Sequence, residues 1–489
     1  MITAPALQAT PAPPPRIAAR TLAGITAAVA LVMLVASRNY GYFFDEAYFV
    51  VAGRDHTALG YFDQPPLVPW LAAAMDAVAP GNLVVLRLPA TLAVAAVTLL
   101  AGLIARELGG RAGAQALAAA ATAMTLVSTV GHWLATYSID PLWWTLIVYL
   151  LARWTRTRED RLVLAAGAVT GLSLETKFLV PALWCAVGVG ALVCGPRRLL
   201  ALPALWGGAG VALVLAAPTL AWQATHGWPY ARMGAVVRDE YPGAAGFAMV
   251  GVVGAGLFVG VPLLVIGVTS LLRSRRYRYL GVALLLVIAA IALAHGRSYY
   301  LASVYALPIA AGSVAVERWT LRRARARWWA ALTGSLAVAS AVCWFLASPV
   351  WSPGVAKAIG HVPGRAPATL LMDADRMTRS FADEATTAYR SLSPAERSSI
   401  AIVAESYPFA AAVDVYGPAA GLPRAYSGHR GYYYFGRPSD SVASVLWLGE
   451  PSTVLDRAFA SRRRVADDAW LYTGRRLAWP ALWEQLRAR

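Results

Sequence analysis

The sequence predicts an all-α polytopic membrane protein of about eleven transmembrane helices, followed by a small C-terminal extracytoplasmic α/β domain. Three observations predict it. The 489 residues are 58% hydrophobic and only 14% charged, with mean hydropathy +0.53, whereas a soluble chain carries roughly 25% charged residues. Apolar runs near the ~17–25 residues that cross a bilayer recur over residues 21–348. Beyond Pro349 no run is long enough to cross, and charged, Pro- and Gly-rich segments take over.

The opening MITAPALQATPAPPPR is Pro/Ala-rich, so residues 1–20 read as a disordered cytoplasmic N-terminus. The run at 21–37 follows Arg16 and Arg20. It also fits a signal peptide, with VAS at 35–37 at the cleavage spacing, and is read as an uncleaved anchor. Further runs fall at 83–105, 112–132, 139–153, 161–176, 178–194, 199–222, 246–272, 279–296, 300–316 and 328–348. With the N-terminus inside, the inner loops hold 19 Lys and Arg and the outer loops 6. That bias orients the chain by the positive-inside rule and places the loop 38–82 and the tail 349–489 outside. The formal charge of +17 is therefore a topology signal and not a nucleic-acid footprint. Within the tail, SSIAIVAES (398–406) and SVASVLWLG (441–449) read as strands, and 373–392 has helical spacing. Cys185, Cys194 and Cys343 all sit in apolar runs without ligand spacing, so neither a disulfide nor a cysteine-held metal is expected.

The outer loop 38–82 is long for a connection between two spans and is expected to carry the chemistry. It contains FDEAYFVVAGRDHTALGYFDQPP, with adjacent carboxylates Asp45 and Glu46. Leu67, Trp70, Leu71, Met75 and Val78 recur at helical spacing, so 65–78 reads as a helix lying in the membrane interface. The proline pair before it favours a helical start. Asp45 fits a helix cap as well as a catalytic group, and Glu46 fits a first-turn partner of the helix dipole. In GHWLATYSIDPLWW (131–144), Asp140 precedes Pro141 and has the same two readings. Two outer acids at helix tops form a plausible pair for general-base work.

The segment FFDEAYFVVAGRDHTALGYFDQPPLVPWLAA, with the later LRLPATLAVAAVTLL, resembles the opening of the GT-C glycosyltransferases. Within them it is similar to the family 39 and aminoarabinose-transferase-like (ArnT/PMT-like) groups. LSLETKF (172–178), GRSYYLASVYALPIAAG (296–312) and the stretch from IVAESYPF to YYYFGRP resemble further segments of that family. The resemblance implies a GT-C fold and inverting transfer of a sugar from a polyprenyl-phosphate donor on the outer face. Asp45 would be the general base and Asp140 its helper, with Glu46 beside them. The leaving phosphate would need cations or hydrogen-bond donors, for which Lys177, Arg297, Tyr299 and Tyr300 lie near outer helix ends. Lys177 also fits a snorkelling residue and Arg297 an interface anchor. Aminoarabinose transferases commonly carry Lys where this chain has Gln64, and Ser303 stands near an absent family proline, which argues for a different sugar. His56, otherwise a solvated loop histidine, is a further candidate for the phosphate.

No cofactor is required by these residues, although Asp45, Glu46 and Asp140 offer oxygen ligands to Mg²⁺ or Mn²⁺. The expected partners are the lipid-linked donor, membrane lipids and an acceptor that is an envelope glycan, lipid or protein, with no nucleic acid. The expected location is the plasma membrane. A flippase for a lipid-linked sugar is the main alternative, disfavoured because its ionisable groups belong at the midplane of repeated halves. A scaffold that binds envelope glycan is a third reading.

Overall fold

The computed structural model describes residues 13–322, 326–352, 355 and 366–487, so most of the expected N-terminal disordered segment lies outside the described residues. The chain is predominantly helical, with a five-stranded sheet near its C-terminus. Helices occupy every one of the apolar runs. Four are individually long and apolar enough to cross a bilayer: Ala19–Ala36, Leu88–Glu107, Pro203–Thr225 and Arg327–Leu346. Ser298–Val304 and Ala306–Leu321 make a fifth if the pair, bent by 52°, is one span. The remaining apolar helices, such as Arg161–Leu174 and Arg278–Leu293, are shorter. By length and composition the described helices thus give four or five full crossings against the eleven expected, because several runs are short or broken.

The run at 246–272 is one such break. It forms Gly243–Gly254 and Gly260–Arg273 around an irregular linker. Gly256 takes φ +87° there, a conformation that lets the backbone leave a helix at no steric cost. Hydrophobicity alone does not record such a break, since the linker is as apolar as its flanks. Lys177 lies in the short connection between Arg161–Leu174 and Val180–Cys194.

The first long loop folds as two helices, Phe44–Asp55 and Leu67–Val78, packed against each other. The second covers most of the run 65–78 that was expected to be helical. Its first amide donates to the carbonyl of Glu175 at 3.0 Å, which ties the loop to the far side of the bundle.

The C-terminal domain has strands β1 (Ile400–Ala404), β2 (Ala425–Ser427), β3 (Ser444–Leu448), β4 (Phe459–Ala466) and β5 (Ala469–Arg475), in the order β2-β1-β3-β5-β4. β1 runs parallel to β2 and β3, and β5 runs antiparallel to β3 and β4. Two strands expected from sequence are β1 and β3. The hairpin β4–β5 went unread because β4 carries Arg462, Arg463 and Arg464 in sequence and only its first residue is buried. Such charge suits an edge strand, where it discourages further pairing. Helix Tyr407–Tyr416 lies between this sheet and helix Phe44–Asp55. Val50, Val51, Ala411 and Leu446 belong to one buried cluster. Each fully buried Val or Leu in that cluster stabilises the junction by about 1.5–3 kcal/mol, so loop and domain are held as one unit.

Candidate active site

Helix Phe44–Asp55 begins with Phe44, which puts Asp45 and Glu46 at consecutive positions of its first turn. Consecutive helical residues point about 100° apart, and the two carboxylates have separate environments. Glu46 turns inward and is wholly buried with Arg87. The Arg87 guanidinium donates to both Glu46 oxygens, at 2.9 Å to Oε1 and 2.7 Å to Oε2. The amides of Leu134 and Phe43 donate to the same carboxylate at 2.8 and 3.1 Å. Glu46 therefore serves structure: it caps its own helix, ties 131–135 to it and does not line the cavity. The expectation that it belongs to the catalytic set is corrected.

Asp45 faces the other way, into a cavity of about 600 Å³ between the first loop, the tops of the helices and the C-terminal domain. Among the described residues its carboxylate accepts no hydrogen bond from a backbone amide, so the capping reading falls away. The Tyr407 hydroxyl donates to Oδ1 at 2.8 Å and the Tyr137 hydroxyl to Oδ2 at 3.4 Å. Burial pushes the Asp45 carboxyl above its usual range, and the Tyr407 hydrogen bond works against that rise. A second acid, Asp63, lines the same cavity and accepts from the Tyr48 hydroxyl at 2.9 Å. Burial raises it to about 6.

Three cations line the cavity: Lys177, Arg297 and Arg430. The Lys177 ammonium sits 3.9 Å over the Tyr300 ring and 5.2 Å from that of Tyr299, contacts in which the ring face attracts the charge. The Arg297 guanidinium donates to the Tyr299 hydroxyl at 3.0 Å. Glu240 accepts from both Arg297 and Arg430, each arginine on a different carboxylate oxygen. Burial opposes its charge, yet Arg297 and Arg430 hold its carboxyl below the usual range. Arg430 is brought in by the C-terminal domain, whose next residue is Gly431. A Cβ there would lie 1.9 Å from the Tyr48 hydroxyl oxygen, so only glycine lets the domain close this tightly on the first loop.

Gln64 lines the cavity as well, 5% exposed, and its amide nitrogen has no hydrogen-bond partner. Tyr299 and Tyr300 complete the wall opposite Asp45. Of the residues expected from sequence, Asp45, Gln64, Lys177, Arg297, Tyr299 and Tyr300 thus converge on one cavity. His56 and Asp140 do not. His56 stacks on Phe435 with ring centroids 4.2 Å apart, and burial, then Arg424, pushes it down to about 4. It does not line the cavity, and its burial disfavours the charged form. Asp140 lies one turn inside helix Thr136–Thr157, 3% exposed, and accepts from the Ser303 hydroxyl at 2.9 Å. It is neither a cap nor a cavity residue, and it acts on Lys177 through charge. Asp45, Glu46 and Asp140 accordingly do not converge as a ligand set, and no group of three His, Cys, Asp or Glu side chains does so among the described residues.

Asp63, Tyr137, Tyr407 and Arg430 were not singled out from the sequence. Asp63 stands beside Gln64 in the quoted loop and was within reach as a third carboxylate. Tyr407 and Arg430 come from the C-terminal domain, and nothing local in the sequence directs them to Asp45.

Residues 63–222 match the family model of the dolichyl-phosphate-mannose-protein mannosyltransferases. No curated protein matches the chain in sequence. Among solved structures the chain is similar to ArnT from Cupriavidus metallidurans in the apo state, with TM-score 0.58, 16% identity, and coverage of 93% of this chain and 98% of that one. It is also similar to the same ArnT bound to undecaprenyl phosphate, with TM-score 0.54, 16% identity, and coverage of 93% and 97%. The chain is a multi-pass membrane protein with the fold of ArnT, and residues 63–222 match the family model of the dolichyl-phosphate-mannose-protein mannosyltransferases.

Proposed function

We propose that the protein is an inverting glycosyltransferase that moves a sugar from a polyprenyl-phosphate donor to an acceptor hydroxyl on the extracytoplasmic face of the membrane. The observation that carries this reading is the cavity in which Asp45, with Asp63 as a second carboxylate, stands among three cations, Lys177, Arg297 and Arg430. The family match and the fold support the transferase class, and the arginine bias of the loops supports the outward orientation.

In this reading Asp45 accepts the proton of the acceptor hydroxyl as its oxygen attacks the anomeric carbon. The bond from that carbon to the phosphate oxygen breaks, and the polyprenyl phosphate leaves with the bonding pair. Charge grows on the phosphate, and cations already in place around it stabilise that charge. Tyr407 and Tyr137 hold the carboxylate in place. Gln64 offers an uncharged donor to the phosphate. With Glu46 committed to Arg87 and Asp140 committed to Ser303, the reading assigns phosphate stabilisation to side-chain cations. A donor tethered in the membrane meets the site already confined to its plane, which reduces the orientational freedom lost on binding.

The test is Asp45→Asn in purified protein, assayed with polyprenyl-phosphate sugars and an envelope acceptor fraction. Transfer should fall by roughly a thousandfold or more while polyprenyl-phosphate binding persists. Transfer at the wild-type rate overturns the base assignment, and lipid movement without transfer points to a flippase. Mass spectrometry of envelope glycans and polyprenyl-phosphate sugars from a deletion strain identifies the sugar and the acceptor.

A further inference from the structure

A second cavity, about 1190 Å³, lies at the opposite ends of the helices that build the site. Helix Leu88–Glu107 starts beside Arg87, under Asp45's helix, and ends at this cavity. Its 20 residues span about 30 Å at 1.5 Å each, close to the hydrocarbon thickness of a bilayer. Helix Thr136–Thr157 likewise has Tyr137 in the site and Arg156 here. The second cavity therefore opens at the other face of the membrane.

Its rim carries Arg106, Arg111, Arg156, Arg276 and Arg318, with Glu107 as the only acid lining it. Glu107 is buried and pairs with Arg106 at 3.1 Å and Arg156 at 2.6 Å. Arg276 donates to the carbonyls of Thr155 and Arg156, and Arg318 to that of Leu108. Those bonds orient guanidiniums without neutralising them. Arg111 is exposed, and its guanidinium has no hydrogen bond or ion pair among the described residues. The floor is apolar, formed by Leu271, Ala311 and Val314. Loop arginines set topology anywhere on that face, but topology needs no concavity. Here five arginines and a single acid line one hollow that also has apolar residues in its wall.

We propose that this cavity binds the phosphate headgroup of an anionic phospholipid from the leaflet opposite the catalytic site, with the start of an acyl chain on the apolar floor. Basic pockets between helix ends are suited to such headgroups, and guanidiniums match phosphate oxygens in pairs. The ligand would brace Leu88–Glu107, Thr136–Thr157 and Ala306–Leu321 against one another. The proposal does not depend on the sugar-transfer reading.

The full-length protein, reconstituted in vesicles of equal phosphatidylglycerol and phosphatidylcholine, is extracted in mild detergent and its retained lipid measured by mass spectrometry. Wild type should retain phosphatidylglycerol over phosphatidylcholine by roughly threefold or more. Arg111→Gln and Arg276→Gln should each lose most of that preference. Because Arg111 is exposed, its variant keeps the test valid even if Arg276→Gln fails to fold. Arg198→Gln, in a neighbouring loop and outside the cavity, should keep the preference. Equal retention of both lipids by wild type, or equal loss in Arg198→Gln, overturns the proposal. Added phosphatidylglycerol should raise the thermal midpoint of delipidated protein where inorganic phosphate does not; an equal rise with inorganic phosphate overturns the lipid assignment in favour of a soluble anion.

Discussion

The Tyr407 hydroxyl donates a 2.8 Å hydrogen bond to Asp45 Oδ1 across 362 positions of sequence. A residue of the C-terminal domain thereby favours the ionised form of the acid in the first loop, against the effect of its burial. Tyr407→Phe removes a donor that favours the ionised carboxylate, so the Asp45 carboxyl moves further up. A general base works ionised, so the acidic limb of the rate profile should shift to higher pH. A hydrogen bond to a charged group is worth about 1.5–3 kcal/mol, which corresponds to roughly one to two pH units. The pH dependence of transfer by the variant checks this, and an unmoved acidic limb would show that Tyr407 does not tune the base.

Glu46 and Arg87 are both fully buried, with side chains 0% exposed. Removing one member leaves the other charged and unpaired inside the protein, at a cost of about 3–5 kcal/mol. Glu46→Ala should therefore lower the thermal midpoint sharply, while any protein that folds keeps its polyprenyl-phosphate affinity. Arg87→Lys should rescue little, because a lysine cannot reproduce the paired donors on both Glu46 oxygens. Thermal unfolding in detergent measures both. A Glu46→Ala protein that is stable yet inactive would return Glu46 to the catalytic set.

How much of this was readable beforehand depended on distance along the chain. Asp45, Gln64, Lys177, Arg297, Tyr299 and Tyr300 were marked by position near helix ends and by a local motif, and they share the cavity. Glu46 was grouped with Asp45 and Asp140 by its place in the sequence, whereas the turn of about 100° between adjacent helical residues here carries its carboxylate to Arg87 and away from the cavity. Asp140 was misplaced because the helix begins at Thr136 and not at Pro141, a shift of one turn that moves a cap into the interior. Arg430 and Tyr407 were unreadable for a different reason. Their approach to Asp45 is made by the sheet and by the packing of Tyr407–Tyr416, and no local pattern encodes a contact of that range.

Asp63 is raised to about 6, so between about pH 4 and 6 the folded protein binds a proton that the unfolded chain has released. The stability owed to this group is full below about pH 4 and is lost as pH rises to about 6. Asp414, also raised to about 6 by burial, and Asp45 act in the same direction. Asp63→Asn should flatten the fall in thermal midpoint between about pH 4 and 6 and leave part of it, owed to the other two acids. A slope unchanged by Asp63→Asn would mean that Asp63 titrates normally.

The cavity's acids and cations also bear on metal dependence. Glu46 is paired with Arg87 and Asp140 does not line the cavity, so a divalent ion at Asp45 lacks those two carboxylates as fellow ligands. Transfer should survive chelation by EDTA with less than about a twofold loss, since Lys177, Arg297 and Arg430 supply the charge that would otherwise come from a cation. A loss restored by Mg²⁺ or Mn²⁺ would show a cation in the step.

Glu240 offers one oxygen to Arg297 and the other to Arg430, so it neutralises part of the charge facing the cavity. A donor phosphate would compete for the same guanidiniums. Glu240→Gln keeps the shape and an acceptor oxygen but removes the negative charge, leaving two arginines less compensated. Polyprenyl phosphate should then bind several-fold tighter and with steeper salt dependence, since the freed attraction is electrostatic. The Glu240 side chain is 37% exposed, and partly exposed pairs contribute only about 0–1 kcal/mol, so the thermal midpoint should fall little. Titration with short-chain polyprenyl phosphate at two salt concentrations separates the cases. Weaker binding by Glu240→Gln would mean that the carboxylate holds the arginines in their phosphate-binding pose and does not compete for them.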